Sequence, residues 1–240
     1  MSHKVIILAG GFGTRMSEET VLRPKPMVEI GGFPILLHIM RIFNAQIKCE
    51  FFVATGYKSE VIESYLSSEE FAREKIIASA LFTGNETATA GRIKIIMDLY
   101  PEDSFFFTYG DGVANIDIIA LLKFHQDHSK IATVTAVRPV ARYGRLEISD
   151  GLVTDFAEKS QTKEGWINGG FFILNPEVKH FIKSNSEMFE QEPMSRLTQS
   201  SQLMAFEHNG FWQPMDTLRE KIELDKLASS LYIPWTVFNS

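Results

Sequence analysis

Short apolar runs alternate along this chain with stretches whose apolar residues recur three to four positions apart. Lys4–Leu8 reads as an apolar run that ends at glycines, the pattern of a strand buried in a parallel sheet. Pro34 then opens a predicted helix with Ile35, Leu36, Ile39, Met40 and Phe43 on one face. Phe51–Ala54 reads as a second strand, closed by Thr55-Gly56-Tyr57, and Ser59 is placed to cap a helix through Leu66. Phe105–Thr108 is a third buried strand ending at Tyr109-Gly110-Asp111-Gly112. A helix over Ile116–Phe124 and a strand over Ala132–Val137 follow. This alternation predicts an α/β fold with a mostly parallel sheet.

The later chain has another rhythm. Leu146–Ile148, an Asp150-Gly151 turn and Val153–Phe156 predict a β-hairpin. Gly170–Leu174 is a further strand, stopped by Asn175-Pro176, which starts a helix at Glu177. Asp216 is placed to cap a last helix running toward Leu227. No long Pro/Gly/Ser linker, charge block or repeat interrupts the chain. It therefore reads as one domain over residues 1–240, with halves of about 1–130 and 131–240. Ligands of open parallel sheets bind outside the carboxyl ends of the strands. Gly10–Arg15 and Gly110–Gly112 fall at such ends, and Asn168-Gly169 falls at a strand's start.

Composition narrows the function classes. At 240 residues the chain needs no covalent staple, and 45% hydrophobic with 22% charged residues excludes a disordered one. A net charge of −6 weighs against a sequence-independent nucleic-acid binder. The single cysteine, Cys49, makes no internal disulfide and no zinc cluster, and reads as a small core hydrophobe. The apolar runs are too short to span a membrane. The start, Met1-Ser2-His3-Lys4, lacks the long apolar region of a signal peptide. The expectation is a cytoplasmic protein without membrane or nucleic-acid partners.

The chemistry begins at Leu8-Ala9-Gly10-Gly11-Phe12-Gly13-Thr14-Arg15. Glycines let backbone N–H groups ring a phosphate, and Arg15 adds a fork suited to phosphate oxygens. The loop lacks the Gly-Lys-Ser/Thr of a P-loop, and Met16 stands where a dinucleotide fingerprint requires Gly or Ala. A plain glycine turn is the simpler reading. Lys25, in Arg23-Pro24-Lys25-Pro26-Met27, shifts the balance. Two prolines pre-organise it, and its loop returns past the glycine loop, as a triphosphate site requires. Residue type alone leaves Asp111 a turn aspartate and Asp216 a helix cap, or both as carboxylates for a metal. His125, His128, His180 and His208 show no metal-ligand spacing and read as core or surface residues.

Leu8–Arg15 with Pro24-Lys25-Pro26-Met27 resembles the sugar-1-phosphate nucleotidyltransferases, whose signature is a G-G-x-G-T-R loop followed by P-K. Ser17–Thr20, Pro24–Gly32, Phe107–Gly112, Asn168–Asn175 and Gly210–Arg219 look like their glucose-1-phosphate cytidylyltransferase branch. The resemblance covers nearly the whole chain and weakens between about Glu63 and Phe82. It implies a single Rossmann-like domain with a β-hairpin and C-terminal helical additions. The first half would bind nucleotide and the second the sugar phosphate. It also implies transfer from CTP to glucose 1-phosphate, with a place in deoxysugar and lipopolysaccharide precursor supply, and a homo-oligomer.

The resemblance implies residue roles as well. Leu8, Ala9, Gly10, Gly11, Phe12, Gly13, Thr14, Arg15, Lys25 and Gly110 would bind the nucleotide. Thr87, Thr89 and Arg92, in the loop Thr83–Arg92, would meet its base and triphosphate. Asp111 and Asp216 would hold Mg²⁺. Arg15, Lys25, Asp111 and Lys159 form the expected catalytic set. Gly144, Glu158, Lys159, Asn168, Gly169 and Glu192 would contact the sugar phosphate. Phe82, where the branch has an acid, and Ala90, where it has glycine, leave another base or sugar open. A sensing subunit that binds without turnover is the alternative from another class.

Overall fold

The N-terminal apolar run pairs on both sides and sets the layers of the fold. The computed structural model describes residues 2–13, 16–139, 145–149, 152–157 and 165–236. The main sheet comprises β1 (His3–Ala9), β2 (Cys49–Thr55), β3 (Ile77–Phe82), β4 (Phe105–Tyr109), β5 (Ala132–Val137), β6 (Ile167–Leu174) and β7 (Leu203–His208). These seven strands lie in the order β7-β5-β6-β4-β1-β2-β3. β1 is parallel to β2 and β4, β2 to β3, and β5 to β7. Only β6, among the described strands of this sheet, runs antiparallel to its neighbours β4 and β5. The mostly parallel α/β architecture follows the sequence expectation.

Alternate residues of a strand face opposite layers. Val5 and Ile7 pack with α1 (Ile35–Asn44), which buries Ile35, Leu36, Ile39, Met40 and Phe43. Ile6 and Leu8 pack with Ile93, Ile96 and Met97 of α3 (Thr89–Leu99). Between these helices in the chain lies α2 (Ser59–Leu66). Its cap position is Lys58, with left-handed backbone, so Ser59 is the first helical residue rather than the cap. α4 (Ile118–Asp127) starts after Asp117, whose carboxylate accepts from Ala120 N, two residues later than the apolar pattern indicates. Asn175-Pro176 opens a short 3₁₀ helix, Pro176–Phe181, rather than an α-helix. The expected hairpin is present as Arg145–Ser149 paired antiparallel with Leu152–Ala157. Cys49 is buried, and burial pushes its thiol up to about 12, as suits a core residue.

Candidate active site

Two connections leave carboxyl ends of parallel strands and converge. After β1, the glycine loop turns at Gly13, which has φ +62°, a conformation that glycine adopts without strain. Thr20 braces this turn by donating to Gly13 O at 3.1 Å and Met16 O at 3.0 Å. A Cβ at Gly11 would meet nothing within 4 Å, so its backbone faces open space, and Phe12 beside it is 48% exposed. Gly10 is packed differently: a Cβ there would stand 2.1 Å from the Arg92 guanidinium. Thr14 and Arg15 lie outside the described residues.

The chain then forms the 3₁₀ turn Lys25–Met27, capped by Pro24. This turn buries Lys25 and aims its ammonium at two carboxylates. Lys25 Nζ donates to Asp111 Oδ2 and to Asp216 Oδ1, each at 2.6 Å. The side chains are 11%, 32% and 23% exposed, so the cluster is shielded but open on its acidic side. Burial pulls the Lys25 ammonium down, yet Asp111 and Asp216 together outweigh it and hold its pKa above the ordinary value. Lys25 is therefore a permanent cation at neutral pH.

Two short strands bring the carboxylates together. Gly112–Ala114 and Trp212–Pro214 pair antiparallel, with Gly112 opposite Pro214. Asp111 directly precedes one strand and Asp216 follows the other, with Met215 N donating to Asp111 O at 2.7 Å. Gly110 admits this crossing, since a Cβ there would stand 2.5 Å from Leu8 O. Asp216 is not the helix cap. Thr217 caps the helix α6 (Leu218–Ala228) in a reciprocal box with Glu220. With Thr217 as the cap, the Asp216 carboxylate accepts from Lys25.

The loop Thr83–Arg92 lies beside the glycine loop through one buried cation. Arg92 donates to Thr55 O at 2.8 Å, Thr83 Oγ1 at 2.6 Å, Gly10 O at 3.1 Å and Asn85 O at 3.3 Å. Burial lowers its pKa. Sequence reasoning turned Arg92 toward the nucleotide; the structure commits its guanidinium to the protein, joining the glycine loop to the end of β2. Thr87 donates to Thr83 O at 2.6 Å, and Thr89 to Glu190 Oε2 at 2.8 Å.

On the other side of the Asp111 loop, Asn168 and Gly169 belong to β6 rather than to a turn before it. Asn168 Nδ2 donates to Tyr109 Oη at 3.1 Å, while its Oδ1 accepts from Gly170 N at 2.9 Å. Gly169 O accepts from Trp212 Nε1 at 2.7 Å, tying β6 to the ribbon that carries Asp216. Glu192 begins α5 (Glu192–Gln199), is 70% exposed and stands 3.8 Å from Arg196. Gly144, Glu158 and Lys159 lie outside the described residues. Thus the structure unites Lys25, Asp111 and Asp216, sets Gly110 and Leu8–Gly13 beside them, and gives Glu192 a neighbour on its own helix. Sequence reading missed Thr20, Trp212 and Glu190. Of these, Thr20 and Trp212 carried a signal, lying inside the recognised Ser17–Thr20 and Gly210–Arg219 stretches.

Comparisons with known proteins bear on the family. The family model described as nucleotidyl transferase matches residues 4–220. The chain is 44% identical over 252 residues to the glucose-1-phosphate cytidylyltransferase of Salmonella typhi, spanning 97% of this chain and 98% of that one. It is 31% identical to the mannose-1-phosphate guanyltransferase of Schizosaccharomyces pombe, over 90% of this chain and 62% of that relative. Its fold is similar, with a TM-score of 0.75 at 19% identity, to a Bacillus anthracis crystal structure described as a glucose-1-phosphate thymidylyltransferase in complex with a sucrose. That similarity covers 96% of this chain and 97% of the other, and concerns the fold alone. With the glycine loop, the clamped lysine and its paired aspartates in place, the chain belongs to the nucleotidyl transferase family, among the sugar-1-phosphate nucleotidyltransferases.

Proposed function

We propose that this enzyme transfers the cytidylyl group of CTP to glucose 1-phosphate in a Mg²⁺-dependent reaction, giving CDP-glucose and pyrophosphate. The observation that carries the reading is Lys25 held between Asp111 and Asp216, at 2.6 Å from each, beside the open backbone of the glycine loop. The choice of base and sugar is supported by the Salmonella typhi relative named for them.

The nucleophile is a phosphate oxygen of the sugar phosphate, anionic at neutral pH, so no general base is required. In an in-line displacement it bonds to the α-phosphorus. The bond from that phosphorus to the bridging oxygen breaks, and its electron pair leaves on pyrophosphate. Catalysis is then positioning plus charge stabilisation. Lys25 has three N–H donors and spends two on the aspartates, leaving the third for the departing pyrophosphate. The backbone of Gly11–Gly13 cradles the triphosphate, with Arg15 as a further cation; Lys159 anchors the sugar phosphate.

Asp111 and Asp216 fit a Mg²⁺ ion. They already share one cation, and two carboxylates leave the rest of an octahedron to phosphate oxygens and water. Among the described residues, no group of three or more His, Cys, Asp or Glu that could hold a metal ion is found. When bound, the ion supplies charge neutralisation at the phosphates.

The test is pyrophosphate release from purified protein with Mg²⁺, each of CTP, UTP, dTTP, GTP and ATP, and a panel of hexose 1-phosphates. Release with CTP and glucose 1-phosphate is expected. Release with another pair would keep the chemistry and move the specificity to Thr83–Arg92. Silence with nucleotide binding intact would favour a sensing subunit.

A further inference from the structure

Glu190 lies outside the Lys25 cluster, yet its carboxylate joins two parts of the site. Oε1 accepts from Tyr109 Oη at 2.6 Å, and Oε2 accepts from Thr89 Oγ1 at 2.8 Å. Thr89 opens α3 at the end of the base-side loop. Tyr109 ends β4, immediately before Gly110-Asp111, and its hydroxyl accepts from Asn168 Nδ2 on β6.

The order of donors and acceptors along this chain is forced. A carboxylate at neutral pH only accepts. Tyr109 must therefore spend its one hydrogen on Glu190, 2.6 Å away. Its oxygen is left to accept from Asn168 Nδ2, an arrangement that agrees with the Gly170 N–H, which by itself requires Asn168 Oδ1 on its side. At the other end Thr89 Oγ1 accepts from Phe189 N at 2.7 Å and donates its hydrogen to Glu190, which can only accept. Gly170 permits the close packing, since a Cβ there would stand 2.7 Å from Tyr109 Cδ2. One N–H of Asn168 and one lone pair of its carbonyl remain for a ligand.

We infer that Glu190 is a positioning residue for the sugar phosphate: it fixes the Tyr109 hydroxyl as an acceptor, which together with the Gly170 N–H holds the Asn168 carboxamide in place. This rests on the reading of the chain as a sugar-1-phosphate nucleotidyltransferase.

Glu190→Gln separates this role from simple support. Its amide keeps one acceptor, so Thr89 and Tyr109 can no longer both donate to it. Where the NH₂ faces Tyr109, the phenol loses its acceptor, its hydrogen competes with the Asn168 NH₂, and only the Gly170 N–H still holds the carboxamide. The expected result is a KM for the sugar 1-phosphate raised about tenfold, the worth of one hydrogen bond. The KM for the nucleotide and kcat change less than threefold. Tyr109→Phe gives the same split, and the double variant is no worse than Tyr109→Phe alone, because both act on one chain. Additive effects, or equal changes in both KM values, would overturn the inference.

A second measurement needs no turnover. The Asn168 side-chain NH₂ resonance, assigned by its absence in Asn168→Asp, shifts and exchanges faster with water in both Glu190→Gln and Tyr109→Phe. An unmoved resonance in folded Glu190→Ala, which leaves Tyr109 no acceptor at this position, refutes the coupling whatever the substrates are. Wild-type silence on every sugar 1-phosphate, with the resonance shifted, leaves the orienting chain standing and refutes its assignment to the sugar phosphate.

Discussion

Lys25 Nζ stands 2.6 Å from Asp216 Oδ1, although 191 residues separate the two in the chain. The contact exists because the ribbon pairing Gly112 with Pro214 carries Asp216 back to the end of β4. The same ammonium holds Asp111. Under the proposed reaction, Lys25→Ala removes the charge assigned to the leaving pyrophosphate and takes a shared cation from two carboxylates. The expected loss is on the order of 10²–10³ in kcat at saturating substrates, read as pyrophosphate release. A variant with weakened nucleotide binding and an unchanged kcat would contradict the role.

The aspartates divide the work differently. Asp111→Asn keeps the shape and one acceptor but loses the charge that a hard divalent cation requires. Chelation of Mg²⁺ should silence the wild type reversibly. Added Mg²⁺ should restore the wild type and not the variant. Near-normal turnover of Asp111→Asn would refute its place at the metal.

How much of this was legible depends on how each piece is buried. β1, β2 and β4 read as apolar runs, and β5 interleaves Thr133 and Thr135 with Ala and Val, because both faces of the sheet are covered; the sequence pattern finds all four. β3 and β7 escape that pattern because they are edge strands, with residues such as Ile77 and Phe82 left exposed. The reversed direction of β6 is illegible for another reason: a buried strand reads alike either way. The Lys25–Asp111–Asp216 set was found through the family's motifs, since residue type alone fits a turn and a cap equally well. The cap then fell to Thr217, one residue on, where Glu220 completes a box. Glu190 gave no signal, because it sits in a polar stretch without periodicity, and its meaning lies in Tyr109 and Thr89, far away in sequence.

Arg92 carries a stability prediction rather than a catalytic one. Arg92→Met leaves Thr55 O, Gly10 O and Thr83 Oγ1 without this buried donor. Losing such a network costs about 3 kcal/mol, read as a lower urea midpoint. Gly10→Ala should act on the same network, since its Cβ would stand 2.1 Å from the guanidinium. The double variant should fall short of the sum of the two. Full additivity would mean that Arg92 does not brace the glycine loop.

The histidines predict acid sensitivity. Burial lowers the pKa of His3, His38, His125, His128 and His208 below the ordinary 6.5. Between 6.5 and the lowered values the unfolded chain binds more protons than the folded one. Their combined contribution is thus fully present above 6.5 and is lost as the pH falls below it. His38 has the clearest geometry: Nε2 donates to Ile30 O at 2.8 Å, so Nδ1 is the acceptor for Trp235 Nε1 at 3.1 Å. A proton on Nδ1 would set two N–H groups against each other. The wild-type urea midpoint, followed by tryptophan fluorescence, should fall between pH 8 and pH 5.5. His38→Gln keeps a donor and an acceptor but cannot gain charge, so it should start less stable at the higher pH and lose less on acidification. An unchanged pH slope in that variant would clear His38 of the titration and leave the loss to the other four.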